Sequence, residues 1–540
     1  MSVQQQHSVT WPRLEGASTT PDVLYLCCAV LLVGAVSFVH LFAPVNIVSY
    51  ERDVWHHMAV LNELMRAPFH PANPHVISDA PSRSFMPWYV MLALFGRWLG
   101  LSALHLLGIS AAISTTLLVV GIRLFARSYF NSKWAPLLLL GAMLGAWSSA
   151  INHTGFHTIG TLLFSASYPF AIVLALGFVT WWIVLQILRA SSAPIGAAIA
   201  IALLTAFMFA THQLQGAFAI GGALIFALFH GDASFRRRCQ VAGAVIVGLF
   251  LCHFWPYFDP IALSFAGENY TYDYKSNIDW MSAGGLLAIL WLPLLGLPGL
   301  YDFRHRVWRR DLAIGAAAIF AGVLAARIMG LWIGLRFLPF LILFLQIALT
   351  AWLLDLLRAK PSGWVRKGCG LIIVVLAAAV LYNVGVASRY VVAAELYLSG
   401  RSDVRSVDWS RDIVDSMAQV NELVGAGHVV LAEGNTAYPI QASDMKVVSI
   451  PRPFPEVPDS VDRQAASVAF FASSTDMAAR CTILTRYGVA AVLYRANRVP
   501  LDVQEVIAGL GTRVLIHDLT LIQLPASVPE ACSTTKATQP

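Results

Sequence analysis

The sequence predicts an α-helical polytopic membrane protein: about eleven transmembrane helices, then a C-terminal extracytoplasmic α/β domain. Three observations predict it. Of 540 residues, 57% are hydrophobic and only 12% charged, and the mean hydropathy is +0.66. Apolar runs of about 18 residues or more, each long enough to cross roughly 30 Å of hydrocarbon, recur over the first two-thirds of the chain. Lys and Arg gather in short loops on alternate sides of successive runs, as membrane topology requires.

The expected spans lie at 22–42, 102–125, 134–150, 165–188, 194–210, 214–230, 240–257, 283–300, 311–329, 338–357 and 369–387. Basic clusters then fall at Arg123, Arg127 and Lys133; at Arg189; at Arg236, Arg237 and Arg238; at Arg304, Arg306, Arg309 and Arg310; and at Arg358, Lys360, Arg366 and Lys367. All lie on one side, which is therefore cytoplasmic. Residues 1–21 read as a polar cytoplasmic tail and not as a cleavable leader. The membrane domain is expected over 22–387, with an outward loop at 43–101, an extracytoplasmic domain over 388–525 and a disordered tail at 526–540. A net charge of +6 invites a nucleic-acid partner, but this topological spread of the basic residues argues against one. No Cys-x-x-Cys pair occurs among the seven cysteines, which argues against a zinc or redox motif. Cys481 and Cys532, the two thiols of the outer domain, are expected to bridge in a compartment that permits disulfides.

The outward stretch from Tyr50 to Tyr89 stands out. In a chain short of charge it concentrates Glu51, Asp53, His56, His57, Glu63, His70, His75, Asp79 and Arg83. A helix over Val54 to Leu64 puts Asp53, His56 and His57 on one face, at i, i+3 and i+4. A carboxylate and two imidazoles beside a membrane surface can do proton chemistry, hold a metal or recognise a phosphate. A solvated juxtamembrane loop is the bland alternative, yet such loops rarely combine this density of His and Asp with so much Pro and aromatic residue. Met86 to Leu99 is apolar but short for a span, so an interfacial helix is expected, with Trp88, Tyr89 and Trp98 at headgroup depth.

The other outward loops carry isolated polar residues: Asn152, His153 and His157; His212 at a tight reversal; Asp259, Glu268, Asp273 and Asp279; and Arg327 and Arg336 on either side of Met329 to Leu335. His212 alone reads more readily as a satisfied structural residue than as a ligand. The sequons at Asn152 and Asn269 are pattern matches with meaning only in a secretory membrane. Beyond Ser388 the expected order is helix 411–424, strand 428–432, strand 446–450, helix 476–487, strand 489–494, helix 501–510, then strands 512–517 and 519–524. That alternation argues for a largely parallel α/β sheet. No glycine-rich phosphate fingerprint opens any of its helices, so no nucleotide is assigned.

The layout resembles the C-type (GT-C) superfamily of polyprenyl-phosphate-sugar glycosyltransferases. The resemblance rests on the acidic pair in Glu51-Arg52-Asp53 after the first span, and on Met86-Pro87-Trp88-Tyr89 leading to Arg97-Trp98-Leu99-Gly100-Leu101-Ser102. It rests also on Arg336-Phe337-Leu338-Pro339 late in the membrane region. It covers residues 20–390. The order Glu-x-Asp departs from the aspartate-glutamate order of the protein mannosyltransferases, and His56-His57 is not required by the superfamily, so the subfamily stays open. The resemblance implies an inverting transfer from a polyprenyl-phosphate-linked sugar donor to a glycan, lipid or protein acceptor outside the cytoplasm. It implies Asp53 as base, with Glu51 supporting it.

The chemistry of the residues agrees. Such a transfer needs a base for the acceptor hydroxyl and cations for the departing phosphate. Arg83, Arg327 and Arg336 can present a planar fork of donors to phosphate. His56, His57, His75, His153 and His212 are candidates to position substrate. A divalent metal is conceivable at the histidines, but no cofactor is expected, because a lipid monophosphate donor carries less charge to neutralise than a nucleotide diphosphate. A transporter or flippase of lipid-linked or ionic cargo is the rival reading. It predicts ionisable residues mid-span and related halves, and the sequence shows few of the first and no internal repeat. A non-catalytic scaffold displaying the outer domain leaves the polar stretch at 50–89 unexplained.

Overall fold

The computed structural model describes residues 20–43, 52–80, 82–148, 155–190, 194–231, 233–265, 289–302, 305, 307–329, 336–359, 363–399, 405–451, 456–525 and 532. They divide into two compact units. One holds the described residues of 1–43, 108–267 and 273–394, the other those of 44–107 and 395–540.

The first unit is helical. Its helices are α1 Thr20–Leu41, most of a long helix α4 Ala103–Phe130, α5 Ala135–Gly145, α6 Ile159–Ser165, α7 Pro169–Arg189, α8 Ile195–Thr211, α9 Gln213–Phe229, α10 Phe235–Cys252, α11 Pro260–Phe265, α12 Arg310–Ile328, α13 Leu338–Ala359 and the greater part of α14 Gly363–Ser399. Among the described residues six helices are long and apolar enough to cross a membrane: α1, α4, α7, α12, α13 and the stretch Gly370–Leu396 of α14. Helices α5, α8 and α9 are apolar but shorter. The expected span at 283–300 is different where it is described: Pro293–Leu300 forms a 3₁₀ helix containing Pro298, whose ring and missing N–H oppose an α-helical ladder.

That 3₁₀ helix lies against α13 at backbone distance. A Cβ on Gly299 would come to 1.7 Å from the Ala348 carbonyl oxygen, and one on Gly296 to 2.0 Å from that of Leu345. Only glycine fits at either place. Aromatic rings fill the centre of this unit: Phe125, Phe178, Trp181 and Phe226 pack edge-to-face or tilted, Phe344 meets Trp181 edge-on and lies nearly parallel to Phe226, and Phe218 stacks on Phe340 with centroids 3.9 Å apart. Polar groups within the unit find partners inside it. Asp311 accepts from Tyr129 Oη at 2.9 Å and meets His230 Nδ1 at 2.7 Å, and Asn383 Nδ2 donates to the carbonyls of Gly145, Trp147 and Ala379.

In the second unit the chain after α1 forms α2 Arg52–Arg66 and α3 Pro87–Leu99. Helix α3 starts with Pro87 at its first turn and stops at Gly100, whose φ of 67° is the left-handed cap that glycine favours. The rest of this unit is α15 Arg405–Val424, β3 Val429–Ala432, α16 Ala437–Ile440, β4 Lys446–Val447, α17 Ser460–Phe470, α18 Met477–Arg486, β5 Val489–Arg495, α19 Leu501–Ala508, β6 Thr512–Ile516 and β7 Leu519–Gln523. A two-residue ribbon, β1 Tyr301–Asp302 with β2 Val307–Trp308, belongs to the first unit. The sheet runs β4-β3-β5-β7-β6. Its first three strands are parallel, and β7 and β6 add an antiparallel hairpin, so the sheet is mixed and not largely parallel. The physical reason is the short connection between β6 and β7, which permits a hairpin but no crossover. Helix α17 was not foreseen. Cys481 and Cys532 are bridged, with Cα atoms 5.9 Å apart; the remainder of the expected disordered tail at 526–540 lies outside the described residues.

The stretch 52–107 is fastened to this sheet. Val447 N–H donates to the His75 carbonyl at 2.8 Å, so the chain at His75 pairs with the outer side of edge strand β4. Lys446 Nζ, buried, reaches Glu63 Oε2 at 3.2 Å and the Asn73 carbonyl at 2.7 Å. Asn62 Nδ2 donates to the Ala442 carbonyl and an Arg463 guanidinium N–H to that of Ile77. Burial opposes ionisation of Glu63, but the Arg66 and Lys446 cations and the Ala72 N–H outweigh it and hold the carboxyl below its usual range. For Lys446 the balance is reversed: burial outweighs the pull of Glu63 and lowers its pKa.

Removing one member of such a pair leaves a buried charge uncompensated, a loss of about 3 kcal/mol or more. Lys446→Met and Glu63→Gln should each lower the melting temperature of the full chain, and the double variant should recover part of the loss. Strict additivity in that double-mutant cycle would show that the pair is not coupled.

Candidate active site

The described part of the stretch 50–89 builds one cluster of polar side chains. Helix α2 is amphipathic: Val54, Trp55, Ala59, Val60, Leu61 and Leu64 are buried, and Asp53, His56 and His57 share a half-buried face. The C-terminal end of α2 is capped from α3, where an Arg97 guanidinium N–H donates to the carbonyls of Met65 and Arg66 at 3.1 Å each. This gives the arginine of the Arg-x-x-Gly-Leu-Ser stretch a positioning task.

His56 is the centre of the cluster. Its Nε2 meets Ser84 Oγ at 2.8 Å, and its ring stacks on His75, centroids 4.4 Å apart and planes at 19°. His57 stands edge-on to His56 at 5.4 Å and to Tyr89 at 5.3 Å. His75 is fully buried, which suits it to hold His56 in place and not to touch a ligand. Burial pushes the His57 pKa down to about 4, against the pull of Asp53, and it pushes that of His75 down to about 3, with the Lys446 charge adding to the effect and Gln441 opposing it. Both rings are therefore neutral at pH 7.

Tyr89 is wholly buried within the protein and Trp88 nearly so, while Trp98 is exposed. The reason is the apolar face of α3, on which Trp88, Tyr89, Leu92, Ala93 and Gly96 recur at helical spacing. Burial and the nearby Asp53 charge raise the Tyr89 phenol well above its usual range, so it stays a donor. Among the described residues its hydroxyl has no hydrogen-bond partner. No described residue donates to the Asp53 carboxylate either. A buried hydroxyl and a half-buried carboxylate left in this state next to each other are unusual away from functional sites.

The remaining sequence-based candidates are placed as follows. Arg83 lies 3.8 Å from Glu456, a carboxylate that offsets its charge. His212 joins α8 to α9, and its Nδ1 accepts from Gln215 N–H at 3.2 Å, capping α9. Arg327 is exposed in the last turn of α12, and Arg336 precedes α13. His212, Arg327 and Arg336 belong to the first unit, whereas Asp53, His56, His57, His75 and Arg83 belong to the second. Glu51, His153, both sequon asparagines, and Glu268, Asp273 and Asp279 lie outside the described residues. Among the described residues no three His, Cys, Asp or Glu side chains converge as they would around a metal ion. The sequence reading assigned no site role to Ser84, Gln441, Lys446 or Tyr89. Only Tyr89 left a local signal, its register on the apolar face of α3.

No family model and no curated protein matches the sequence. Solved structures do. ArnT from Cupriavidus metallidurans bound to undecaprenyl phosphate superposes with a TM-score of 0.55 at 15% identity, over 95% of this chain and 99% of that one. Its apo form gives 0.53 at 14% identity, over 94% and 98%. Arabinofuranosyltransferase AftD from Mycobacteria gives 0.54 at 15% identity, over 95% of this chain and 40% of that one. The chain thus spans the length of ArnT and about two-fifths of the length of AftD. These neighbours are GT-C glycosyltransferases, and the likeness shows that this chain has their fold.

Because His57 and His75 are neutral when folded and titrate near pH 6.5 when unfolded, the unfolded state binds more protons between pH 6.5 and about 4. Stability should fall as pH falls through that window, by about 2 kcal/mol per ring at pH 5. His57→Gln and His75→Gln should each flatten the dependence of melting temperature on pH between 7 and 5. An unchanged slope in both variants would refute the assignment of neutral buried rings.

Proposed function

We propose that the protein is an integral membrane glycosyltransferase that moves a sugar from a polyprenyl-phosphate-linked donor to a glycan, lipid or protein acceptor outside the cytoplasm. The observation that carries the reading is the Asp53 carboxylate, open to a proton and set beside the buried Tyr89 hydroxyl and His57, in a chain with the GT-C fold. The fold neighbour ArnT binds undecaprenyl phosphate, which supports a lipid-phosphate donor here.

In the proposed reaction Asp53 takes the proton of the acceptor hydroxyl. The freed oxygen attacks the anomeric carbon and a new C–O bond forms. The bond from that carbon to the phosphate oxygen breaks, its electrons go to phosphate, and polyprenyl phosphate leaves. One direct displacement inverts the anomeric centre. Tyr89, held protonated and wholly buried, lines the site beside Asp53 and is assigned no contact with substrate. His57, neutral, and His56, braced by Ser84 and His75, shape the wall. The arginine forks of Arg336 and Arg327 are assigned to phosphate on the strength of their chemistry. No divalent metal is invoked, since the donor is a monophosphate ester.

The orientation has separate support. The basic loops argue for a cytoplasmic amino terminus and an outer location for residues 43–101 and 388–525. A disulfide between Cys481 and Cys532 fits an oxidising compartment such as the outer face of a bacterial inner membrane.

Transfer of labelled sugar from a polyprenyl-phosphate donor by the purified chain tests the proposal. Asp53→Asn keeps size and hydrogen-bonding reach but cannot take a proton at neutral pH, and the expected loss is about 10²- to 10⁴-fold in rate at unchanged melting temperature. Donor binding should survive in Asp53→Asn and weaken in Arg336→Ala. Near-normal turnover by the Asp53→Asn chain would eliminate the mechanism.

A further inference from the structure

The second unit contains a crevice remote in sequence from the Asp53 cluster. It lies at the carboxyl ends of the three parallel strands and holds about 260 Å³. Each strand contributes to it: Glu433 follows β3, Ser449 to Pro451 follow β4, and Arg498 follows β5. Gln464, Ser467 and Phe471, on α17 and just past its end, form the facing wall. In strand order β4 lies on one side of β3 and β5 on the other, so the chain reverses its direction of winding at β3. Such switch points, outside the carboxyl ends of parallel strands, are where open α/β sheets bind ligands.

The lining defines a ligand. Its volume is below the roughly 300–1,000 Å³ of drug-sized sites, which suits a single ring. Glu433 opposes an anion such as phosphate, and Arg498 beside it opposes a cation, so the pair favours a neutral molecule. Carboxylate, guanidinium, the Gln464 amide and the hydroxyls of Ser449 and Ser467, themselves 2.8 Å apart, supply acceptors and donors for several hydroxyl groups. Phe471 adds one aromatic surface of the kind that packs against the C–H face of a sugar ring. Thr436 Oγ1 donates to Glu433 Oε2 at 3.3 Å and steadies the carboxylate, which burial holds above its usual range against the pull of Thr436, Arg498 and Arg495.

We propose that this crevice binds one neutral sugar unit of the acceptor glycan, away from the residues that transfer sugar. The assignment to the acceptor rests on the glycosyltransferase reading; the saccharide site itself does not.

The test uses the full chain in lipid nanodiscs. The probes are the methyl glycosides of glucose, galactose, mannose and arabinofuranose, observed by saturation-transfer NMR, with inorganic phosphate as competitor. At least one glycoside should receive saturation from the protein. Glu433→Gln and Phe471→Leu, which preserve size and apolar packing, should each weaken that binding by about tenfold or more, as expected for loss of a charged hydrogen bond or a ring face. Arg498→Ala, at an exposed position, gives a third variant that does not disturb the core. Asp53→Asn should bind the same probe as well as the parent chain does. Binding of no glycoside, binding indifferent to all three crevice variants, or displacement by phosphate would overturn the proposal. A chain that transfers sugar yet fails these tests loses the crevice alone; a chain that passes them yet transfers nothing loses the transferase reading and keeps the site.

Discussion

The buried contact of Lys446 with Glu63 and the Asn73 carbonyl governs the second unit. It joins residues nearly four hundred positions apart and takes two charges out of water, an arrangement that is costly unless each charge is fully engaged. Both are: Glu63 also accepts from the Ala72 N–H at 2.9 Å and pairs with Arg66. Next to it the His75 carbonyl occupies the Val447 N–H, so this donor on the sheet edge is taken up by the chain's own stretch at 52–80. A stretch of this composition without such a tie would be a mobile loop. With it, α2 is a fixed rod, and side chains on a braced helix hold their geometry better than side chains on a loop. The placement of Asp53, His56 and His57 follows from that brace.

The first unit obeys a different constraint. Within hydrocarbon, apolar burial gives little preference for helix on helix, so close packing and internal hydrogen bonds must do the holding. Gly296 and Gly299 let one backbone touch the carbonyls of another at distances that any side chain would prevent. Asp311 and Asn383 have several partners each inside the unit, and the Arg309 guanidinium donates to Asp355 at 2.7 Å. These polar residues are thus explained as structural ties, which weakens the case for reading them as a transport path.

Much of this was legible in the sequence. Hydropathy fixed α1, α4, α7, α12 and α13 to within a few residues, since a run of apolar side chains about 20 residues long has few other uses. Helix α2, strands β3 and β5, and helix α18 with its Asp476 cap could be read from periodicity and capping chemistry. Pro298 ought to have cautioned against a regular span at 283–300, and α17 was missed because Ser, Gln and Ala dilute its apolar face. Of the site, the Asp53, His56 and His57 face was visible as an i, i+3, i+4 pattern. Its support was not: Gln441, Lys446 and Glu456 come from a distant part of the chain, and no local pattern announces a contact across that separation. The proximity of Arg83, a phosphate candidate in the sequence, to Glu456 was out of reach for the same reason.

Composition alone leaves three uses open for a carboxylate beside two imidazoles, and burial decides among them. Recognition of phosphate by His56, His57 and His75 would call for imidazolium, yet burial keeps His57 and His75 neutral at pH 7. A histidine with a pKa near 4 is no stronger a base than an ordinary carboxylate, so the usual advantage of imidazole in proton transfer is lost at His57. His75 has in addition no surface left for a substrate. Asp53 is the one member of the group that is both accessible and without a donor among the described residues. His57 and His75 thus act as neutral, closely packed walls that lower the polarity around a single carboxylate, and in such surroundings a charge is felt more strongly than it would be in water.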